Sequence, residues 1–129
     1  MEFSKVEIIT GNDKLSGLME RLSKPGLMAR LHKIGVSGIT VSNVLGCGVQ
    51  MGTSEYEVEE HEIMQLLPKF QIMIVCETRM VEELIELIKE ELYTGHIGDG
   101  KIFISDVNNI VRVRTGEEGA DALNKSAID

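Results

Sequence analysis

The stretch at residues 69–103 decides the fold, and it reads KFQIMIVCETRMVEELIELIKEELYTGHIGDGKIF. Its first part, at 69–76, is apolar at nearly every position, which is typical of a strand inside a sheet. Thr78 can cap the helix predicted at 79–92. The apolar face of that helix is formed by Val81, Leu84, Ile85, Ile88 and Leu92. A glycine-rich loop then leads into another strand.

The sequence on either side of this stretch completes the order of elements. A helical segment is predicted at 14–33, interrupted at Pro25 because proline breaks the hydrogen-bond ladder. The tail at 117–129 is polar, with one helical turn expected at 120–123. Further strands are predicted at 5–10, 38–45, 102–106 and 109–113.

The resulting order is β-α-β-β-α-β plus an extra strand. It predicts an α+β fold of the ferredoxin-like kind, with an antiparallel sheet and both helices on one face. The other face of the sheet has no predicted helix to cover it. Its apolar side chains need a partner, so we expect the chain to self-associate.

A short repeat lies inside the first helical segment. Residues 17–24 read GLMERLSK and residues 26–33 read GLMARLHK. A shift of nine residues turns a straight helix by about 180°, so both copies cannot bury the same stripe. We therefore expect two short helices, of which one copy does the packing.

Composition limits the classes of function. The 129 residues are the length of one domain, so 1–129 is taken as a single unit. A net charge of −8 argues against nucleic acid as a partner. With no long apolar run and no signal peptide, we expect no direct membrane insertion and a cytoplasmic location, with Cys47 and Cys76 reduced. The histidines and cysteines fall in no zinc-binding spacing.

Glycines and cations cluster near the carboxyl end. Gly95, Gly98 and Gly100 precede Lys101, and Arg112 and Arg114 follow on alternate positions at the end of the last predicted strand, which would place both on one strand face. Glycines let backbone N–H groups face an anion, and the cations can pair with phosphate. The same residues also suit a tight turn followed by solvent-facing arginines. From the residues alone, both interpretations stay open; the spacing of a Walker A loop is absent.

Five segments are informative together: 38–41 (GITV), 46–52 (GCGVQMG), 66–69 (LLPK), 94–103 and 111–118. In order and spacing they resemble the PII nitrogen-regulatory signal-transduction family, and the resemblance covers nearly the whole chain. It implies a homotrimer with binding sites in the clefts between subunits, where ATP and ADP compete and 2-oxoglutarate binds together with Mg-ATP. It also implies a regulator without enzymatic activity, which docks a long flexible loop on a target protein.

The resemblance assigns roles to matching positions. Arg112 and Arg114 would bind phosphate from the adjoining subunit, opposite the cradle that contains Lys101. Gln50 would bind Mg²⁺ with ATP, and Lys69 would pair with a 2-oxoglutarate carboxylate. The implied 2-oxoglutarate positions are Gln50, Gly52, Lys69, Ile97 and Gly98. The implied nucleotide positions are Thr40, Gly46, Cys47, Gly48, Gln50, Val75, Gly98, Asp99, Gly100, Lys101, Arg112 and Arg114.

The long loop, at about 48–66, would dock on a target such as an ammonium transporter or a regulator of nitrogen metabolism. Between Gly46 and Pro68 the sequence has five glutamates and neither lysine nor arginine. Such a loop would be attracted to a basic target, although a solvated loop without a sharp role has the same composition. The implied docking positions are Tyr56, Glu57, Val58 and Glu62.

Several positions depart from the family pattern. Val49 and Met51 stand where the family often has arginine and lysine, and Val58 stands where an arginine often leads the loop into its target. Glu62 replaces the tyrosine that enteric members modify. The loss of positive charge leaves an alternative open, in which the chain senses adenine nucleotides without a 2-oxoglutarate response and regulates another transporter or enzyme. Catalysis is disfavoured because no nucleophile and base can be paired from the sequence.

Overall fold

The computed structural model describes residues 2–11, 13–23, 25–33, 36, 38–47, 66–95 and 99–124. Four strands form one sheet in the order β2-β3-β1-β4, and every neighbouring pair is antiparallel. This order confirms the ferredoxin-like α+β prediction, and β3 lies inside the sheet as its apolar sequence indicated. The strands are β1 (Phe3–Gly11), β2 (Thr40–Gly46), β3 (Leu67–Glu77) and β4 (Lys101–Val107).

In the part of the chain that the structure describes, four α-helices accompany the sheet. Pro25 is the first residue of its helix, where the missing N–H removes no helical bond. None of the helices within the described ranges has the length and apolarity needed to cross a membrane. The helices are α1 (Leu15–Leu22), α2 (Pro25–Lys33), α3 (Val81–Leu92) and α4 (Ala120–Asn124).

The core lies between the helices and one face of the sheet. Val6 pairs with Ile74 and Ile8 with Ile72 across β1 and β3, and all four side chains are buried. Leu84 from α3 belongs to the same cluster. Burying one such aliphatic side chain contributes about 1.5–3 kcal/mol, so this cluster is the main source of stability.

Both copies of the short repeat contribute to that core. Leu18, from the first copy, is fully buried, and Leu31, from the second, is 3% exposed. The expectation that only one copy packs is therefore wrong. The predicted division into two short helices is confirmed, since α2 begins at Pro25. Each helix buries a leucine from a different position of the repeat, so both copies pack against the core.

Thr78 does not cap α3, in contrast to the prediction. A 3₁₀ turn at Thr78–Met80 precedes α3, whose N-cap is Met80 without a side-chain bond. The hydroxyl of Thr78 instead lies 2.7 Å from the hydroxyl of Ser4, and its backbone N–H donates to the carbonyl of Glu2 at 2.8 Å. Thr78 thus ties the start of the helical segment to β1.

The strand predicted at 109–113 does not form. This segment makes one isolated bridge, between Val111 and Glu118, and then turns back on itself. The N–H of Gly116 donates to the carbonyl of Arg112 at 2.8 Å, and Gly116 and Gly119 have φ values of +74° and +65°. These left-handed residues reverse the chain, because glycine adopts positive φ at little cost. The helical turn predicted after them is confirmed as α4.

No helix among the described residues covers the middle of the second sheet face, which we call the open face. Its side chains alternate with those of the core and come from all four strands. Ile9 and Met73 are half-buried there, and Phe103 is half exposed. Lys5 pairs with Glu7 at 2.7 Å on the same face, and Gln71 donates to Glu7 at 3.2 Å.

Candidate functional site

Two lysines lie at one end of the open face. Lys69 of β3 stands opposite Gly11, and Lys101 of β4 stands opposite Ile9, so β1 separates the two lysines. A strand spacing of about 4.8 Å and a rise of about 3.4 Å per residue place their Cα atoms roughly 12 Å apart. Both side chains extend from the same face of the sheet, so their ammonium groups lie at the same end of the molecule.

The absence of a side chain at Gly46 determines the path of the Lys69 side chain. A Cβ at Gly46 would lie 2.9 Å from Cδ and 3.3 Å from Cε of Lys69. The aliphatic stem of Lys69 therefore runs across the position that a side chain would occupy. Cys47 follows directly and is exposed. Lys69 thus extends along the end of β2, from which the long loop departs.

Gly100 is required by its surroundings as well as by its backbone. Its φ is +103°, and a Cβ there would lie 2.4 Å from the carbonyl oxygen of Ile9 and 3.1 Å from Cα of Thr10. Only glycine permits this approach of the loop to the end of β1. The contact fixes the point where β4 begins, and therefore the position of Lys101.

The carboxylate of Asp99 closes the loop on the chain itself. The N–H groups of Thr94 and Gly95 donate to its Oδ2 at 2.8 and 3.0 Å, and the Thr94 hydroxyl donates to Oδ1. Lys14 Nζ donates to Oδ1 at 3.1 Å. The bond from the Thr94 hydroxyl, followed by that from the Thr94 N–H, holds the pKa of Asp99 well below its usual range. Asp99 therefore stays ionised and supports the loop from within.

Thr40 and Val75 lie further along the same face. Thr40 stands opposite Met73, one cross-strand row beyond the row of Lys101, and Val75 stands in the next row. From Lys69 to Val75 the strand covers six residues, or about 20 Å. The structure thus arranges these predicted residues along an elongated surface that ends at the two lysines.

The arginines lie elsewhere in the chain. Arg112 donates from Nη2 to the carbonyl of Ala122 at 2.7 Å, and its Nη1 lies 3.7 Å from Glu117 Oε1. Its side chain is only 8% exposed, whereas Arg114 is exposed within the turn. Because the predicted strand is a turn, the expectation that both arginines share a strand face is wrong.

We call residues 111–119 the arginine turn. It lies far from the lysines of the same chain. Its Gly119 lies close to Phe3, at the start of β1, because a Cβ there would be 3.9 Å from the Phe3 ring. Lys101 stands opposite Ile9, six residues along the strand from Phe3, which corresponds to about 20 Å. One chain therefore presents lysines at one end of β1 and arginines near the other.

Part of the predicted site lies outside the described residues: Gly48, Gln50, Gly52, Tyr56, Glu57, Val58, Glu62, Ile97 and Gly98. Within the described residues, sequence reasoning missed Lys14, Thr10 and Thr94, which hold the glycine loop. Lys14 is 85 residues from Asp99, and Thr10 is 89 residues from it. No local pattern could reveal the contacts of Lys14 and Thr10, because they join distant parts of the chain. Thr94 is only five residues from Asp99, so its contact is local.

Comparison with known proteins gives consistent results. The family model for nitrogen regulatory protein P-II matches residues 3–117. A nitrogen regulatory protein P-II from Azospirillum brasilense is 39% identical over 110 residues, which cover 85% of this chain and 98% of the relative. The B. subtilis GlnK-ATP complex is similar with a TM-score of 0.70 and 35% identity, covering 95% of this chain and 98% of that one. Arabidopsis thaliana PII bound to citrate is similar with a TM-score of 0.64 and 35% identity, covering 94% and 92%.

Proposed function

Since this chain belongs to the nitrogen regulatory protein P-II family, we propose that it senses ATP and ADP in clefts between three copies of itself. Members of the family are signal-transduction regulators rather than enzymes, and they act as trimers on target proteins. The similar B. subtilis GlnK was solved with ATP. Transfer of that ligand to this chain is part of the proposal.

The separation of the two groups of cations carries the proposal. Lys101 stands at the end of β1, whereas Arg112 and Arg114 belong to the turn beside the start of that strand. Cations about 20 Å apart in one chain cannot meet the same phosphates. Two copies arranged head to tail would bring the lysine end of one against the arginine turn of the next. Such heterologous contacts form a closed ring when the rotation between copies closes after three of them, as in the proposed trimer.

Phosphates suit the groups at the lysine end. A lysine supplies a point charge with three donors, and a guanidinium supplies a fork of donors that matches phosphate oxygens. Gly46 leaves room for the stem of Lys69, and Gly100 lets the loop lie against the end of β1, so the two glycines fix where Lys69 and Lys101 lie. Cys47, Gly48, Gly98 and Asp99 belong to the same proposed site, with Thr40 and Val75 toward the adenine.

The second effector in the proposal is 2-oxoglutarate. Lys69 supplies a cation for a carboxylate, beside the point where the long loop leaves β2. Gln50, with its amide oxygen, would hold Mg²⁺ together with the ATP phosphates, because magnesium prefers oxygen ligands. When bound, Mg²⁺ neutralises phosphate charge and so lets a dicarboxylate approach. Gly52 and Ile97 would complete this part of the site.

The output would be a protein target that the long loop contacts. An ammonium transporter or a regulator of nitrogen metabolism fits the family, and a basic docking surface fits the five glutamates of the loop. Tyr56, Glu57, Val58 and Glu62 would make this contact. A cytoplasmic location follows from the proposed ligands, which are metabolites of the cell interior.

Titration of 2-oxoglutarate by calorimetry separates this function from its alternative. We expect binding with Mg-ATP present, weaker than that of ATP itself, and no binding with ADP or without nucleotide. Lys69→Ala should remove it, whereas Lys89→Ala, on the exposed side of α3, should not. If no heat appears with Mg-ATP, the sensor restricted to adenine nucleotides is favoured, in agreement with the lost charge at Val49 and Met51.

Assembly can be measured independently of ligand. Light scattering at micromolar concentration should give about three times the chain mass of 14.3 kDa, as expected for closed cyclic symmetry. A monomer at these concentrations would contradict the shared site as well as the trimer, because each chain would then keep its lysines and arginines apart.

A further inference from the structure

We propose that Lys14 is a positioning residue for the nucleotide phosphates, and that it acts through Asp99 rather than by touching the ligand. Lys14 lies between β1 and α1, outside the segments that carry the family resemblance. It holds the loop that ends in Gly100 and Lys101 against the rest of the domain. This inference rests on the proposed nucleotide site.

The ammonium group of Lys14 joins two parts of the structure. It donates to Asp99 Oδ1 at 3.1 Å and to the carbonyl of Leu92, at the end of α3, at 3.2 Å. Both acceptors belong to the segment that runs from α3 into β4. Lys14 itself is anchored by its backbone N–H, which donates to the carbonyl of Gly11 at 3.1 Å. The side chain therefore fastens both ends of the glycine loop to the end of β1.

The low exposure of both side chains indicates that the ion pair between Lys14 and Asp99 helps to hold the loop in place. The side chains of Lys14 and Asp99 are 16% and 23% exposed, so solvent screens their attraction less than it screens a surface pair. Surface pairs such as Lys89 with Glu86, at 60% and 64% exposure, contribute little. With its ammonium directed to two protein acceptors, Lys14 is suited to holding the loop, not to binding a phosphate.

Asp99 transmits this restraint to the cation. Its backbone carbonyl accepts a bond from the Thr10 hydroxyl at 3.1 Å, and Gly100 follows in contact with Ile9. Lys101 is the next residue. When the Lys14 contact is lost, Asp99 keeps its bonds to Thr94 and Gly95, and the loop keeps its contacts with Thr10 and Ile9 of β1. The loop loses only its ion pair with the segment between β1 and α1. Lys101 then meets the phosphates from a less restricted position, and affinity falls because ordering it costs entropy.

Calorimetry on matched variants tests this role. Lys14→Met keeps the aliphatic stem and removes the charge, Lys14→Arg restores a cation, and Lys89→Met removes an exposed charge of the same kind. We expect ATP to bind Lys14→Met about fivefold more weakly or worse, as is typical of residues that couple without touching a ligand. Lys14→Arg should stay within about twofold of wild type, and Lys89→Met should be unchanged.

Two further measurements exclude a general loss of structure. AMP binding, which does not depend on the outer phosphates, should change less than ATP binding in Lys14→Met. Combining Lys14→Met with Lys101→Ala should give a smaller loss than the product of the two separate losses, because both act on one cation. If Lys14→Met folds poorly, Thr94→Val provides a second test, because it removes another bond to Asp99. It should weaken ATP binding more than AMP binding.

The outcomes also distinguish this inference from the proposed function. If wild type binds ATP and Lys101→Ala weakens it while Lys14→Met does not, the role of Lys14 is wrong and the nucleotide site stands. Equal losses for ATP and AMP, or fully multiplicative losses in the double variant, would also overturn the positioning role. If wild type binds no ATP, the nucleotide site and this inference both fall.

Discussion

The glycine loop and the arginine turn are the two halves of the proposed phosphate site, and they are held in different ways. The loop is fixed on several sides: Asp99 accepts bonds from three residues, and Gly100 lies against β1. The turn is held chiefly by short-range contacts, with Arg112 fastened to α4 as its longer connection. In the proposed site, a loop fixed by these contacts would therefore face a cation whose place depends on α4.

The largest expected contrast is between two glycines of positive φ. In Gly100→Ala, a Cβ would lie 2.4 Å from a backbone oxygen and would also be strained, whereas a Cβ at Gly116 meets nothing within 4 Å. We expect Gly100→Ala to lower the free energy of unfolding by about 3–5 kcal/mol, combining backbone strain and overpacking. Gly116→Ala should lose only about 1–2 kcal/mol.

Urea unfolding at one fixed protein concentration measures both variants, with Gly38→Ala as a control in open space. Equal losses for Gly100→Ala and Gly116→Ala would show that the loop can move away from β1, and the description of a loop fixed by its contacts would then be wrong.

The second contrast is between the two cations themselves. Arg112→Ala removes a nearly buried guanidinium and its bond to the Ala122 carbonyl, so we expect a loss of about 1.5 kcal/mol or more in unfolding free energy. Lys101→Ala removes an exposed side chain and should change stability by less than about 0.5 kcal/mol. Arg114→Ala, in the same turn but exposed, is the matched control. If Arg112→Ala and Arg114→Ala lose the same free energy of unfolding, the bond from Arg112 to α4 contributes nothing measurable to stability.

The smallest contrast concerns pH. The pKa of Asp99 is lower in the folded chain than its unfolded value of about 3.9, so its ionised bonds stabilise the fold above that value. This contribution is lost as pH falls below about 4. The stability difference between wild type and Asp99→Asn should therefore shrink between pH 6 and pH 3.5. Asp106→Asn, on exposed β4, serves as the control; a difference that stays constant with pH would remove Asp99 as an ionised support.

Sequence periodicity predicted the four strands of the sheet and the main helices, but it wrongly predicted a strand at 109–113. The apolar run of β3 and the stripe of α3 repeat often enough to define their faces. Arg112 and Arg114 alternate over only one step, and Gly116 and Gly119 reverse the chain there instead. A period of two over so few residues is weaker evidence for a strand than two closely spaced glycines are for a turn.

The chemistry of the site was predictable only in part, for a different reason. Lysines, arginines and glycines near one another in the sequence suit an anion site, although they also suit a tight turn with exposed arginines, and the site stays a prediction. The supports of that site have no such signal, because Lys14 is 85 residues from Asp99. The break at Pro25 was predicted from the sequence. The burial of a leucine from each repeat copy, Leu18 and Leu31, was not, because it depends on how each helix packs on the sheet.

The central claim, that each phosphate site takes Lys101 from one chain and Arg112 from another, can be tested with mixed trimers. Lys101→Ala and Arg112→Ala should each weaken ATP by tenfold or more, since a hydrogen bond to a charged group contributes about 1.5–3 kcal/mol. When the two variants are coexpressed and assemble at random, about a quarter of the clefts in a cyclic trimer unite the intact Lys101 with the intact Arg112. Calorimetry should then show about a quarter of the sites with wild-type affinity. If no sites recover in mixed trimers, the two cations do not meet across a subunit boundary, and the account of the site is wrong.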